Sequence, residues 1–348
     1  MDRIKLLERL VSYNTINDQD NLLIMDYVGN YLDTLGFKIT FKYNCDKSKK
    51  CLIAKYKNPN IAFIGHTDTV GYSNWKYDPF KLTIKDNRLY GLGTCDMKGG
   101  IAAFLCAVTE IIDKLENGVM IILTFDEEIG FSGIKLIDDV IPDNVIIGEP
   151  TSLVPITNTK GCIEYKVTFK GVRAHSSSPN KGDNAITKCI NFISDLRVFY
   201  EKLKQEENPL FEIPYTTMNI AKINGGDSIN VIPDNCELSF DFRTINRKQN
   251  KVINEKIKKQ VNKYGANLEI ITNLYPLDNT SDIAFIENIT TKKSAINFVT
   301  EASFLDKKNV FILGPGPNNE HKCNEFIDIN SYNETIEIYK KIIEFYTK

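Results

Sequence analysis

Three short apolar runs, IAFIG, VMIILTF and VIIG, each break off at a cluster of charged residues, and helical stretches lie between them. A run of four to eight apolar residues without polar alternation reads as a strand buried on both faces. Ile101, Phe104, Leu105, Val108, Ile111, Ile112 and Leu115 form a helical stripe directly after Gly99-Gly100. Ahead of it, Ile24, Val28, Tyr31, Leu32 and Leu35 make another helix that Gly36 stops, and FKITFKY and CLIAKY follow as strands. Strand–helix–strand order of this kind predicts an α/β fold with a mostly parallel sheet flanked by helices. Such a sheet places its functional residues beyond the carboxyl ends of its strands.

The residues found there are chemically loaded. The chain has three histidines, and each lies in a polar motif. His66 and Asp68 end the run AFIGHTDTV, His175 stands in GVRAHSSSPNKGDNAI, and His321 in LGPGPNNEHKCNEF. Asp96 in GTCDMKGG, Glu127-Glu128 in TFDEEIG and Glu149 in IIGEPTS add the acidic partners. Carboxylates at the ends of buried strands are expensive to desolvate unless positive charge sits among them. Two divalent cations would supply it. Imidazole with carboxylate suits zinc, with cobalt or manganese as substitutes. A carboxylate bridging two such ions is the arrangement with which hydrolases clamp a water and a scissile carbonyl. Glu127 and Glu128 are adjacent and cannot share one direction in a regular strand, so the strand must end near Asp126.

From about Gly161 the texture changes to half-exposed strands. CIEYKVTFKG, YTTMNIAKING, CELSFDFRT and ANLEIITN alternate, and AITKCINFISDL and KQNKVINEKIKKQVNKYG are helical. The order strand–helix–strand–strand–helix–strand predicts a ferredoxin-like α+β domain. The expected layout is a metal-binding catalytic domain, 1–160 and 275–348, with an inserted lid and dimerisation domain at 161–274. The return segment predicts a helix over IAFIENITTKK, a strand at NVFILG and a C-terminal helix over 331–347.

A net charge of −2 excludes a basic surface for nucleic acid. No window approaches the about 18 uninterrupted apolar residues of a membrane span. The eight cysteines are scattered with no C-x-x-C spacing, which argues against a disulfide framework and a cysteine-ligated zinc site. The N-terminus mixes charges with its apolar residues, unlike a signal peptide. A cytoplasmic location is the expectation. Cys95 and Cys323 read as thiols outside the site, Trp75 as a packed loop anchor, and the lysine-rich stretch 248–263 as a solvated helix face. GPGP at 314–317 shapes the approach to His321 and offers a backbone amide to substrate.

Taken together, HTDTV, G-x-x-D-M-K-G-G, D-E-E, G-E-P-T and the late histidine resemble the M20 family of di-zinc amidohydrolases and peptidases, over essentially the whole chain. Within it, LYGLGTCDMKGG, IIGEPTSL, GGDSINVIP and VTEASF are most similar to the acetylornithine deacetylase branch. VTEASF departs from the Ser/Thr-Asp-Gly-Arg type of motif typical of the desuccinylases. The resemblance implies a small-molecule N-acyl amino acid substrate, a homodimer and two zinc ions per chain. Succinyl-diaminopimelate, another acyl amino acid or a dipeptide is the rival substrate. A metal-binding protein without activity is the more remote alternative, and the intact Glu127 weighs against it. By resemblance, His66 and Glu149 hold one ion, Glu128 and His321 the other, and Asp96 bridges them. Asp68 orients the His66 ring, Glu127 is the general base, and the peptide after Asp96 is cis. His175 would reach across a dimer interface to the oxyanion. Arg243 and Asn230 would bind substrate, and Glu301 would meet a cationic side chain. The competing readings are an ion-paired strand arginine for Arg243, and an N-cap or exposed loop carboxylate for Glu301.

Overall fold

The computed structural model describes residues 2–278, 294–306 and 309–348, so the helix expected over 283–293 lies outside the described residues. The chain divides into two compact units, one of 1–157, 279–294 and 304–348, the other of 158–278 and 295–303. Glu301 therefore belongs to the second unit.

In the first unit the central strands Gly118–Thr124, Pro59–His66, Asn144–Ile147 and Asn309–Ile312 run parallel, in that spatial order. Lys50–Tyr56 and then Lys38–Tyr43 extend one side antiparallel, and Ile156–Thr159 pairs antiparallel on the other. The parallel centre is buried on both faces: every residue of Gly118–Thr124 is buried, as is Ile61–His66. That burial is why these strands read as unbroken apolar runs. The helix Lys98–Ile111 is buried nearly all round, with Phe104 stacked on Phe63 at 4.3 Å and edge-on to Tyr339 at 5.5 Å. Tyr339 comes from the C-terminal helix Ile329–Thr347 and donates its hydroxyl to Leu313 O. The apolar stripe runs past the helix end, because Ile112–Lys114 tightens into a 3-10 turn. Other features were not read from the sequence, two of them prominent. One is the N-terminal helix Arg3–Val11, capped by Asp2; the other is a small sheet of Thr83–Lys85, Arg88–Tyr90 and Phe326–Asp328.

The second unit holds a four-stranded antiparallel sheet in the order Thr217–Gly225, Asn235–Arg243, Cys162–Lys170, Asn267–Leu274. Alternate residues face one way: Ile163, Tyr165, Val167 and Phe169 from one strand, Cys236, Leu238, Phe240 and Phe242 from its neighbour. Onto them pack Cys189, Phe192 and Leu196 of the helix Ala185–Leu203, and Ile253, Ile257 and Val261 of Arg247–Lys263. Asn184 and Asn246 cap these helices through Thr187 N and Gln249 N. This is the ferredoxin-like order that the alternating strands implied. Among the described residues, no helix is long and apolar enough to cross a membrane.

Lys160 is a charge placed against the grain of this unit. It is buried, donates Nζ to Tyr215 O at 2.9 Å and lies 5.6 Å from the Phe211 ring centre. Burial brings its pKa down from 10.5 to about 8. Between those values the unfolded chain binds more protons than the folded one, so this residue adds stability as pH rises. The urea midpoint of the wild type should therefore gain on that of Lys160→Met between about pH 8 and 10.5. Parallel curves for the two proteins would show that the ammonium is not desolvated.

Candidate metal centre

Strand register assembles the centre. Ile64 pairs with Ile147, so His66 and Glu149 both lie two residues beyond the same rung. His66 pairs in turn with Thr124, the last residue of its strand. Thr67 pins the two strand ends by donating both its N–H and its hydroxyl to Thr124 O, at 3.1 and 3.0 Å. Beyond Thr124 the chain leaves the sheet, and Asp126 takes a φ of 57°. Asp96 arrives from elsewhere, just ahead of the helix Lys98–Ile111, with a cis Asp96–Met97 peptide. Close approach here demands glycine: a Cβ on Gly100 would lie 2.0 Å from Gly148 O, beside Glu149.

Two clusters result, His66–Asp96–Glu149 and Asp96–Glu128–His321, in each of which the ligand atoms lie within 4.8 Å of one another. Asp96 belongs to both. Its Oδ1 is 3.0 Å from His66 Nε2 and its Oδ2 is 3.3 Å from His321 Nε2. Glu149 Oε1 stands 3.5 Å from His66 Nε2, and Glu128 Oε2 3.1 Å from His321 Nε2. Asp68 serves both clusters. His66 Nδ1 donates to the Asp68 main-chain oxygen at 3.0 Å, and the Asp68 carboxylate stands at 3.5 Å. A proton kept on Nδ1 by this contact would leave Nε2, which faces Asp96 and Glu149, available as a metal ligand. Asp68 Oδ2 also accepts the Glu128 N–H at 3.2 Å.

The electrostatics call for cations. Burial opposes a charged His66, yet Glu149, Asp68 and Asp96 together push its pKa well up. The hydrogen bond to Asp96 lifts His321 to about 9. Burial would raise Asp96, but His321 and His66 pull it below the usual carboxylate range. Glu128 is raised, first by burial and then by the charge of Asp96. The carboxylates thus favour the protonated form of both imidazoles. Two divalent ions would offset the carboxylates while using the Nε2 lone pairs, and the donor set fits them.

Glu127 is half-buried beside Glu128. His175, Asn230, Arg243 and Glu301 belong to the second unit. There His175 Nδ1 accepts the Ser177 N–H at 3.2 Å, and Ser176 N donates to Asn230 O at 2.9 Å. Arg243 Nε donates to Asp241 at 3.2 Å, so the ion-paired arginine is present. Glu301 is buried at the start of the 3-10 turn Glu301–Phe304 and is not an exposed loop carboxylate. Cys95 donates its thiol to Pro317 O at 3.2 Å, away from the ligands, and Cys323 is exposed. Trp75 is more than a loop anchor: with Tyr72, Leu92, His321 and Lys322 it lines a cavity of about 330 Å³. The amides of GPGP are already used, Gly314 N by Thr151 and Gly316 N by Ser331, so neither is offered to substrate.

Two charged residues beside the centre escaped the sequence reading. Lys98 is fully buried and donates to Tyr13 O at 2.8 Å. Burial brings it down to about 7 against the charges of Glu325 and Asp68. Glu325 is buried as well, and burial raises it to about 8. The one available signal was position, since Lys98 follows Asp96 by two residues and Glu325 follows His321 by four.

Residues 62–344 match Peptidase family M20/M25/M40. The acetylornithine deacetylase of Buchnera aphidicola subsp. Schizaphis graminum is 33% identical, over 98% of this chain and 97% of that protein. The chain belongs to the M20 family. It is a hydrolase of that family with a candidate two-metal centre. Among solved structures, aminopeptidase PepT from Bacillus cereus has the same fold, with a TM-score of 0.76 at 19% identity over 99% of this chain and 98% of that one. The Bacillus subtilis YXEP protein, a dinuclear metal binding peptidase from the M20 family, gives 0.68 at 14% identity over 99% and 97%.

The contact between Gly100 and Gly148 O leaves no room for a side chain. Gly100→Ala should lose roughly 1–3 kcal/mol of unfolding free energy, the usual cost of overpacking. Denaturant titration measures it, and an unchanged midpoint would mean that the helix can move off the Glu149 strand.

Proposed function

We propose that this protein hydrolyses the amide bond of an N-acyl amino acid, with N-acetylornithine as the leading substrate. The observation that carries this reading is the pair of clusters sharing Asp96, with Glu127 next in chain to a ligand of one of them. The relatives named acetylornithine deacetylase direct it to the substrate. His66 and Glu149 would hold one ion and Glu128 and His321 the other, with Asp96 shared by both; zinc is the proposed metal, with cobalt or manganese able to replace it. When bound, the ions supply Lewis acidity, polarising the amide carbonyl and acidifying water. Glu127 takes the proton of the attacking water and returns it to the departing amine. Asp68 keeps the His66 ring turned to its ligand role.

The second unit is proposed as the lid and dimerisation domain of a cytoplasmic homodimer. Supporting a dimer, its edge strand Thr217–Gly225 is largely exposed, with Ile223 on the surface, the kind of edge a second copy can pair with. His175 is the proposed donor to the oxyanion, acting in trans. Because Nδ1 accepts from Ser177, the ring proton sits on Nε2, ready to donate. Arg243 is the proposed grip on the substrate carboxylate, fixed by Asp241, and Asn230 and Glu301 complete the set, Glu301 towards the distal ammonium.

A substrate panel with purified protein and added zinc tests this. Acetylornithine should show the highest kcat/KM among acetylcitrulline, acetylmethionine, succinyl-diaminopimelate and simple dipeptides. Glu127→Gln should keep its metal yet lose more turnover than the ~10²–10⁴-fold of acid–base catalysis alone, since the water also loses its orientation. Preference for a dipeptide or the succinyl substrate would overturn the substrate; near wild-type turnover in Glu127→Gln would overturn the base.

If His175 acts in trans, a mixture of His175→Ala and Glu127→Ala chains should regain activity that neither homodimer has. In each mixed dimer one site combines an intact Glu127 with an intact His175. Mass measurement establishes that heterodimers are present, and an inactive mixture would place His175 outside the partner's site.

A further inference from the structure

Glu325 joins two loops that the sequence keeps more than two hundred residues apart. Its Oε1 accepts the backbone N–H groups of Cys95 at 2.6 Å and Asp96 at 3.0 Å, and its Oε2 accepts that of Gly93 at 3.2 Å. Its own carbonyl accepts Gly91 N at 3.2 Å. The placement follows from register. Phe326 pairs with Tyr90 at the start of the small antiparallel sheet, so the residue before Phe326 falls opposite the loop that leads to Asp96. Side chain and main chain of Glu325 together thus gather four N–H groups from the span Gly91–Asp96. The side chain is 2% exposed, and removing it would strand three N–H groups that have little access to water. Four residues earlier in the same loop stands His321, whose backbone is left-handed at φ 59°.

We infer that Glu325 is the positioning residue of the centre: it sets the backbone of the shared ligand Asp96 and couples that ligand to the His321 loop, so both cation sites depend on it. This inference rests on the two-cation reading above. It separates Glu325 from residues that serve only one site. Glu149 belongs to a single cluster, whereas the Asp96 backbone that Glu325 holds serves both.

Cobalt titration tests it, read from the visible absorption of the bound ion, with the metal-free melting temperature recorded in parallel. Glu325→Ala should bind both ions with affinity lowered 10- to 100-fold, the usual effect of losing a residue that orients ligands. Glu325→Gln keeps one acceptor oxygen for Cys95 and Asp96 but sets an amide NH2 against Gly93, and should fall between Ala and wild type. Leu7→Ala, a core truncation in the first helix, lowers stability while keeping the Glu325 carboxylate, and should titrate as wild type. If Glu325→Ala does not fold, Glu325→Gln decides: weaker binding supports the inference and wild-type binding overturns it. The inference is also overturned if folded Glu325→Ala titrates as wild type, or if Leu7→Ala loses as much affinity as Glu325→Ala. A wild type that takes up fewer than two ions would remove the two-cation reading itself.

Discussion

Everything in the first unit turns on one electrostatic condition, the packing of Asp96, Glu128 and Glu149 around two imidazoles at the end of a buried parallel sheet. Charges so placed have lost most of their water, and their mutual repulsion is poorly screened. The surrounding carboxylates raise the pKa of both His66 and His321, so a proton on either ring would offset part of the charge. Cations meet the condition more fully, because they use the ligand lone pairs as well as cancelling the charge. A fold that gathers carboxylates in this way offers a candidate site for two metal ions.

The surroundings are organised to keep those groups still. Thr67 ties two strand ends together, and Asp68 holds a ring on one side and a backbone amide on the other. Gly100 lets the helix after Asp96 come down on the strand that leads to Glu149. Each acts through a ligand, and the separate contacts are modest. Where such a contact is buried, as at Asp68 and Gly100, a lost partner leaves a group with little water to fall back on.

The second unit is built on a different principle. Its sheet buries one face against two helices and leaves the other polar, so its core comes from strict alternation and its functional candidates sit on turns and strand ends. His175 and Asn230 are neighbours there because a two-residue bridge, Ala174–His175 against Val231–Ile232, brings their loops together. The same local geometry fixes the tautomer of His175 through Ser177.

The four central strands, the helix after Gly99-Gly100 and the ferredoxin-like unit were legible in the sequence, because each follows from a local hydrophobic period. His66, Glu128 and Glu149 stood out in the sequence because they follow apolar strands, whereas Asp96 and His321 were joined to them as ligands only by the resemblance to the M20 family. Other features were decided by contacts distant in sequence. The antiparallel flanks of the sheet depend on pairing, which a local pattern does not encode. The small sheet that places Glu325 consists of three-residue strands too short to carry a period. Lys98 and Glu325 look like ordinary surface charges in a one-dimensional reading. Only the packed chain buries them beside Asp68 and the Asp96 loop, because burial is a property of what surrounds a residue and not of the residue itself.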